Sequence, residues 1–274
     1  MFGARIGSCE LAACLLICLS CAMPSVAQSP APDEPEANPA RPTVSTPATL
    51  TPVGYLQFET GMLGAADSPE FSSQYSMNEA MKLAVAPRLE FIVSAEPVAH
   101  SIVDGNATNQ PGDVSLGAQV VLSRGGGSRP AIALSYVGRA YEGDAPDVDF
   151  GSPSNSLILL ASADVKGFHY DTNALFNEVI NGTIRRAQFG QTLSISHPLA
   201  GNFGLGGEIW HFTQPFLRSN CVGNLWALTY SPRKTLVFDA GFNRGLTHTS
   251  TQWEAFAGFT YLLPHRLWAQ RGGS

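Results

Sequence analysis

The chain has 274 residues, a formal net charge of −6 and 14% charged residues, well below the roughly 25% usual in a soluble domain. Mild acidity with scattered Lys and Arg argues against nucleic acid as a partner. Mean hydropathy is only +0.03, and past the N-terminus no apolar run reaches the roughly 18 residues of a spanning helix.

The N-terminus reads as a secretory signal, residues 1–27. Arg5 supplies the positive start, Leu11 to Cys21 the apolar run, and Ser25-Val26-Ala27 the small-residue cleavage site. A second reading makes Cys21 the acylated cysteine of a lipoprotein. Cys9, Cys14, Cys18 and Cys21 all lie in this segment. The mature chain then keeps only Cys221, which permits no internal disulfide and fits a small apolar strand position. Residues 28–50 are rich in Pro, Ala, Ser and Thr. They lack apolar periodicity, so a disordered or extended periplasmic linker is expected.

From residue 51 to 264 the pattern is a series of roughly ten-residue stretches that alternate apolar and polar. In Asp113-Val-Ser-Leu-Gly-Ala-Gln-Val-Val-Leu122, Val114, Leu116, Ala118, Val120 and Leu122 share one face. Twelve strands are predicted: 53–63, 74–85, 88–98, 113–123, 131–140, 154–165, 168–179, 185–197, 202–212, 220–231, 235–246 and 252–263. Their lengths suit a tilted transmembrane strand better than a soluble one. Short connections (Ala86-Pro87, Lys166-Gly167, Pro198 to Gly201, Pro232 to Lys234) alternate with mostly longer ones, notably 99–112 and 141–153. The fold class that follows is all-β, a transmembrane up-and-down antiparallel β-barrel of about twelve strands in the outer membrane, with residues 265–274 as a tail.

A charge facing hydrocarbon costs roughly 2–4 kcal/mol for Lys or Arg at the midplane, so the charged positions mark the lumen. The lumen-lining candidates are Glu59, Lys82, Arg88, Glu90, Glu96, Arg139, Asp171, Arg186, Glu208, Asp239 and Glu254. They are mixed in sign and somewhat acidic. Either they line a conduit or they pair to plug a small barrel. Glu79 falls instead with Tyr75, Met77 and Met81 on the outer face, which suggests a register error or a bulge there. Aromatics toward strand ends, including Tyr75, Tyr136, Phe168, Trp210, Trp226, Trp253 and Tyr261, fit interfacial girdles.

Catalytic and metal signals are weak. A Ser–His pair could serve a lipid hydrolase, and His169, His197 and His211 are available. No G-x-S-x-G appears and no carboxylate is evidently placed to orient a His. The six histidines lack His-x-His or HExxH spacing. No enzyme activity, metal or cofactor is expected. Asn181-Gly182-Thr183 looks like an ordinary Asn-Gly turn.

The final stretch Gly258-Phe-Thr-Tyr261-Leu-Leu263 resembles the β-signal read by the barrel assembly machinery. It departs in having Phe256 at a usually polar position and in continuing past Pro264. Across Thr51–Trp268 the chain resembles the "MetA-pathway of phenol degradation" family of outer-membrane transporters. The matching residues are Gly54-Tyr-Leu-Gln-Phe-Glu59-Thr-Gly61, Pro87-Arg-Leu-Glu90, Gly112-Asp113-Val-Ser-Leu-Gly117 and Gly258-Phe-Thr-Tyr261. The resemblance implies an outer-membrane barrel that passes aromatic or other hydrophobic compounds. The expected function is a passive channel for such small solutes, with outer-membrane lipid, the assembly machinery and the solute as partners. The alternative is a closed structural or adhesion barrel with a plugged lumen.

Overall fold

The computed structural model describes residues 35–126, 129–149, 151 and 153–268. The expected signal segment, Cys21 included, and the end of the tail lie outside them. Thirteen strands form one antiparallel sheet: β1 (Leu56–Ala66), β2 (Ser73–Ala86), β3 (Leu89–Val103), β4 (Asn106–Gln110), β5 (Val114–Ser123), β6 (Ala131–Tyr141), β7 (Asn155–Val165), β8 (Phe168–Asn181), β9 (Ile184–Pro198), β10 (Phe203–Gln214), β11 (Ser219–Arg233), β12 (Leu236–Gly245) and β13 (Trp253–Leu262). Twelve of them close a barrel. β1 pairs with both β2 and β13, and the β2–β3 pairing completes the ring. Every wall strand therefore has two neighbours, which removes the edges that lipid would leave unsatisfied.

The short β4 is not part of the wall. It folds back on Ala99–Val103 through an Asp104-Gly105 turn in which both residues have positive φ. The stretch expected as a loop over 99–112 is thus a hairpin arm extending β3. Turns at Pro87-Arg88, Lys166-Gly167 and Lys234-Thr235 gather at one end, together with the start of β1 and the finish of β13. In outer-membrane barrels this turn end is periplasmic. The opposite end carries the β4 arm and the 142–154 connection. The Asn181 turn between β8 and β9 also lies there and is as tight as any at the turn end. The start of the C-terminal tail docks at the turn end, where Leu267 N–H donates to the Gly54 carbonyl and Arg266 Nε to the Val53 carbonyl, both at 2.8 Å.

Burial is inverted relative to a soluble protein. Gln57, Glu90, Gln119, Asn177 and Gln188 are buried, whereas Leu159, Phe176, Phe189, Leu193, Trp226, Leu228, Phe238 and Phe242 are exposed. Alternate side chains along a strand point to opposite faces, so the amides and carboxylates point inward and an apolar surface points outward. This is the arrangement a barrel in lipid requires. Aromatic pairs lie toward the strand ends, with Phe168 4.6 Å from His197 and Phe203 4.8 Å from Tyr230 at the turn end.

Candidate functional site

The lumen is occupied by the chain's own residues 37–51. Pro39, Pro42 and Pro47 interrupt this segment every few residues, and Pro52 follows it. It can neither form a helix nor add a strand. Its backbone groups need partners all the same, and the barrel wall supplies them as side chains.

The segment enters at the turn end, where Ala37 N–H donates to the Lys234 carbonyl. On β1, Asn38 N–H donates to Gln57 Oε1 at 2.8 Å and Gln57 Nε2 returns a bond to the Asn38 carbonyl. Glu59 accepts the backbone N–H groups of Ala40 and Arg41 at 3.2 and 3.1 Å, and pairs with Lys82 of β2. The Arg41 guanidinium reaches β12 and pairs with Asp239 at 3.1 Å. It lies over Gly61 and Gly258, which are register partners on β1 and β13. A Cβ at either position would collide with the guanidinium.

On β10, Glu208 accepts Val44 N–H at 2.7 Å and Ser45 N–H at 2.6 Å. The Ser45 hydroxyl lies 2.8 Å from Thr192 of β9. Asn173 of β8 clasps Thr46, accepting its N–H at 2.7 Å and donating to its carbonyl at 2.9 Å. Ser162 of β7 accepts Ala48 N–H at 2.7 Å, Gln119 of β5 donates to the Pro47 carbonyl, and Glu90 of β3 accepts Thr51 N–H at 2.8 Å. In strand order the contacts run β1, β12, β10, β9, β8, β7, β5, β3. The segment therefore winds once around the inside of the barrel. It also fills apolar notches: Val44 packs on Trp210, Phe212 and Cys221, while Ala48 and Leu50 meet Val121, Ala133 and Leu160. Residues 35–50 are thus not the extended periplasmic linker expected from composition. Their order comes from the wall.

Toward the loop end from this segment, the two sides of the lumen differ. On the β8–β13 side the inward residues are packed shut: Asn177, Gln188, Trp210, Phe212, Cys221, Leu225 and Asn243 are all buried. Gly190 and Gly223 form notches in which the rings of Phe212 and Trp210 sit. From the β6–β7 connection, Asp149 reaches over this side. Asp149 accepts Thr251 N–H at 2.7 Å, and its carbonyl accepts from Gln214 at 2.7 Å. Asn243 accepts the Trp210 indole N–H at 3.0 Å and donates to Glu254. On the β2–β7 side, the inward residues Asn78, Ala80, Ile92, Ser94, Ser115, Val137, Ser156 and Ile158 are only half-buried. A crevice therefore remains along that side, part hydroxyl and part aliphatic, with Glu96 and the Arg139–Asp113 pair toward its loop end.

Of the eleven residues expected in the lumen, the structure places Glu59, Lys82, Glu90, Asp171, Glu208, Asp239 and Glu254 inside and buried. Glu96 and Arg139 are half-buried near the loop end, Arg139 pairing with Asp113 at 3.2 Å. Arg88 and Arg186 are corrections. Arg88 lies in the exposed β2–β3 turn. Arg186 shares the inward face of β9 but stands beyond the packed lumen, exposed and 4.9 Å over the Phe216 ring. Trp210, expected in the girdle, is the largest buried side chain of the lumen. Its position two residues after Glu208 on one strand carried that signal.

His169 does have carboxylates beside it, Asp164 at 2.8 Å and Asp171 at 3.2 Å. Ser162 contacts Asp171. The aspartate stands between serine and histidine, so this histidine cannot take the serine's proton as nucleophile activation requires. Among the described residues no group of His, Cys, Asp and Glu could hold a metal ion.

No family model and no curated protein matches the chain. Solved structures do. The COG4313 outer membrane channel from Pseudomonas putida F1 aligns with a TM-score of 0.56 at 13% identity, over 79% of this chain and 98% of that one. The fold is that of outer-membrane channels. The NanC porin aligns with a TM-score of 0.54 at 7% identity, over 76% and 100% of the two chains. The KdgM porin gives 0.52 at 12%, over 76% and 98%. At these identities it is the barrel that is shared.

Proposed function

We propose that the chain is an outer-membrane channel for small, uncharged, partly apolar molecules, closed at rest by its own residues 37–51. The observation that carries this is the ring of contacts between that segment and eight wall strands. Each acceptor in the ring faces a lumen that water fills once the segment leaves. Exchange for water keeps the acceptors satisfied, so each bond is worth only about 0.5–1.5 kcal/mol net, or 1.5–3 at a carboxylate. A plug held this way is tight and still displaceable.

The solute class follows from charge and lining. Six buried carboxylates of the lumen (Glu59, Glu90, Asp171, Glu208, Asp239 and Glu254) face two cations, Lys82 and Arg41. That balance disfavours an anionic polymer such as the oligogalacturonate held by the KdgM porin. The β2–β7 crevice, lined by hydroxyl and aliphatic groups below the Arg139–Asp113 pair, suits small solutes of mixed polarity, and the phenol-degradation resemblance implies aromatic or other hydrophobic ones. The same plug favours a second reading, a permanently closed barrel acting through its loops.

Single-channel recording in planar bilayers separates the two. Under the channel reading the full chain shows rare openings, and removing residues 37–50 makes them continuous. A full chain that never opens, beside a shortened one that conducts, would leave only the closed barrel.

A further inference from the structure

Glu79 stands at the middle of β2 with its side chain toward lipid. β2 buries Gln74, Ser76 and Lys82 in the lumen, so Tyr75, Met77, Glu79 and Met81 face out. Glu79 is exposed, and among the described residues no donor reaches its carboxylate. Its register partners are Thr60 on β1 and Ala95 on β3. The β2–β3 ladder shifts register between Met77 and Glu79, with the extra residue on β3, while β2 keeps its regular alternation against β1. An ionisable side chain in the membrane is costly and marks a functional contact by default.

The surroundings have the character of a contact surface. Met62 pairs across strands with Met77, and Phe58 with Met81, so methionines frame the Thr60–Glu79 pair above and below. These are all the methionines among the described residues. Met62 and Tyr75 are 60% and 63% exposed, among the most exposed apolar side chains of the barrel. Flexible, polarisable methionine adapts to a partner's surface more readily than branched side chains do.

We propose that this face is the contact between two copies of the chain in the membrane, with Glu79 of one copy hydrogen-bonded to Glu79 of the other across a twofold axis. Chemical complementarity selects the second copy. A carboxylic acid is both donor and acceptor, so it complements itself, and two carboxyls in contact share a proton because both cannot ionise. The Thr60 hydroxyl beside each adds a donor. A twofold contact brings the same patch to both sides, methionine against methionine. Among the described residues no cation stands at mid-height on the outer wall. The outward arginines Arg185 and Arg244 stand near the loop end, engaged by Glu178 and by Gln252 with Trp253. Acyl chains offer no donor.

The test is oxidative cross-linking of the full chain in outer-membrane vesicles, with Thr60→Cys on this face and Leu159→Cys on β7 as the control face. Cys221 is buried and free, so the unsubstituted chain measures background. Cross-linked homodimer is expected from Thr60→Cys and not from Leu159→Cys. Adding Glu79→Leu should cut the yield about ten-fold, and adding Glu79→Gln should preserve it, since an amide pair is also self-complementary. Equal yields from both faces, capture of a different protein, or indifference to Glu79→Leu would each overturn the proposal. A boiled-against-unboiled gel shift confirms that every variant closes its barrel.

Discussion

The β8–β13 side of the lumen and the β2–β7 side are built from the same alternating strands, yet one is solid and the other is not. The difference lies in what the inward positions carry. On the solid side, Trp210 and Phe212 occupy successive inward positions of β10, and glycines on β9 and β11 leave room for their rings. On the open side Ser94, Ser115, Ser156 and Ala80 alternate with aliphatic residues such as Ile92, Val137 and Ile158, and no large ring fills the bore there. Closure thus follows side-chain volume, and strand number sets only the space to be filled. Residues 37–51 contact both sides and can change the bore without unfolding the wall.

The largest expected effect breaks that shared element. Deleting residues 37–50 should turn rare openings into a continuous conductance, with the heat-modifiable gel shift retained because the wall hydrogen bonds are untouched. Loss of the gel shift instead would mean that the segment is part of the barrel's core and not its gate.

Next in size is a test of the solid side. Gly223→Leu forces a side chain into the space held by the Trp210 ring. Overpacking of this kind costs about 1–3 kcal/mol, so thermal unfolding in detergent should move down clearly. The matched change on the open side, Ser94→Leu, should leave unfolding nearly unchanged because the crevice has room. Equal shifts for the two would remove the distinction between the sides.

Much of this was legible in the sequence. Eleven of the twelve wall strands lie within three residues of the predicted ones, and β3 runs five residues past its predicted end, because ten-residue alternation is a strong local signal. Glu79 was already on the outer face beside a suspected bulge, where the structure has one. Residues 35–50 were not legible. Their composition is that of a disordered linker, and their order rests on Glu59, Glu208, Asn173 and Glu90, which are distant in sequence. Trp210 was misassigned to the girdle because aromatics near strand ends usually face lipid. Parity with Glu208 outweighs that habit. Arg186 has the correct parity as well, but parity cannot say where along the strand the packed lumen stops.

A subtler prediction sharpens how the gate is latched. Glu208 accepts two consecutive backbone N–H groups from the segment, whereas Ser162 accepts one. Bonds to a carboxylate are worth about 1.5–3 kcal/mol and neutral ones about 0.5–1.5. Glu208→Gln keeps the shape, but its one oxygen serves only one of the two N–H groups and its NH2 faces the other, a loss of about 1.5–3 kcal/mol, which is a rise of about ten-fold or more in open probability. Ser162→Ala removes one neutral bond and should raise it only a few-fold. Single-channel recording reads both. If Ser162→Ala opens the channel more than Glu208→Gln does, the latch lies at β7, and the carboxylate ring merely solvates a segment held elsewhere.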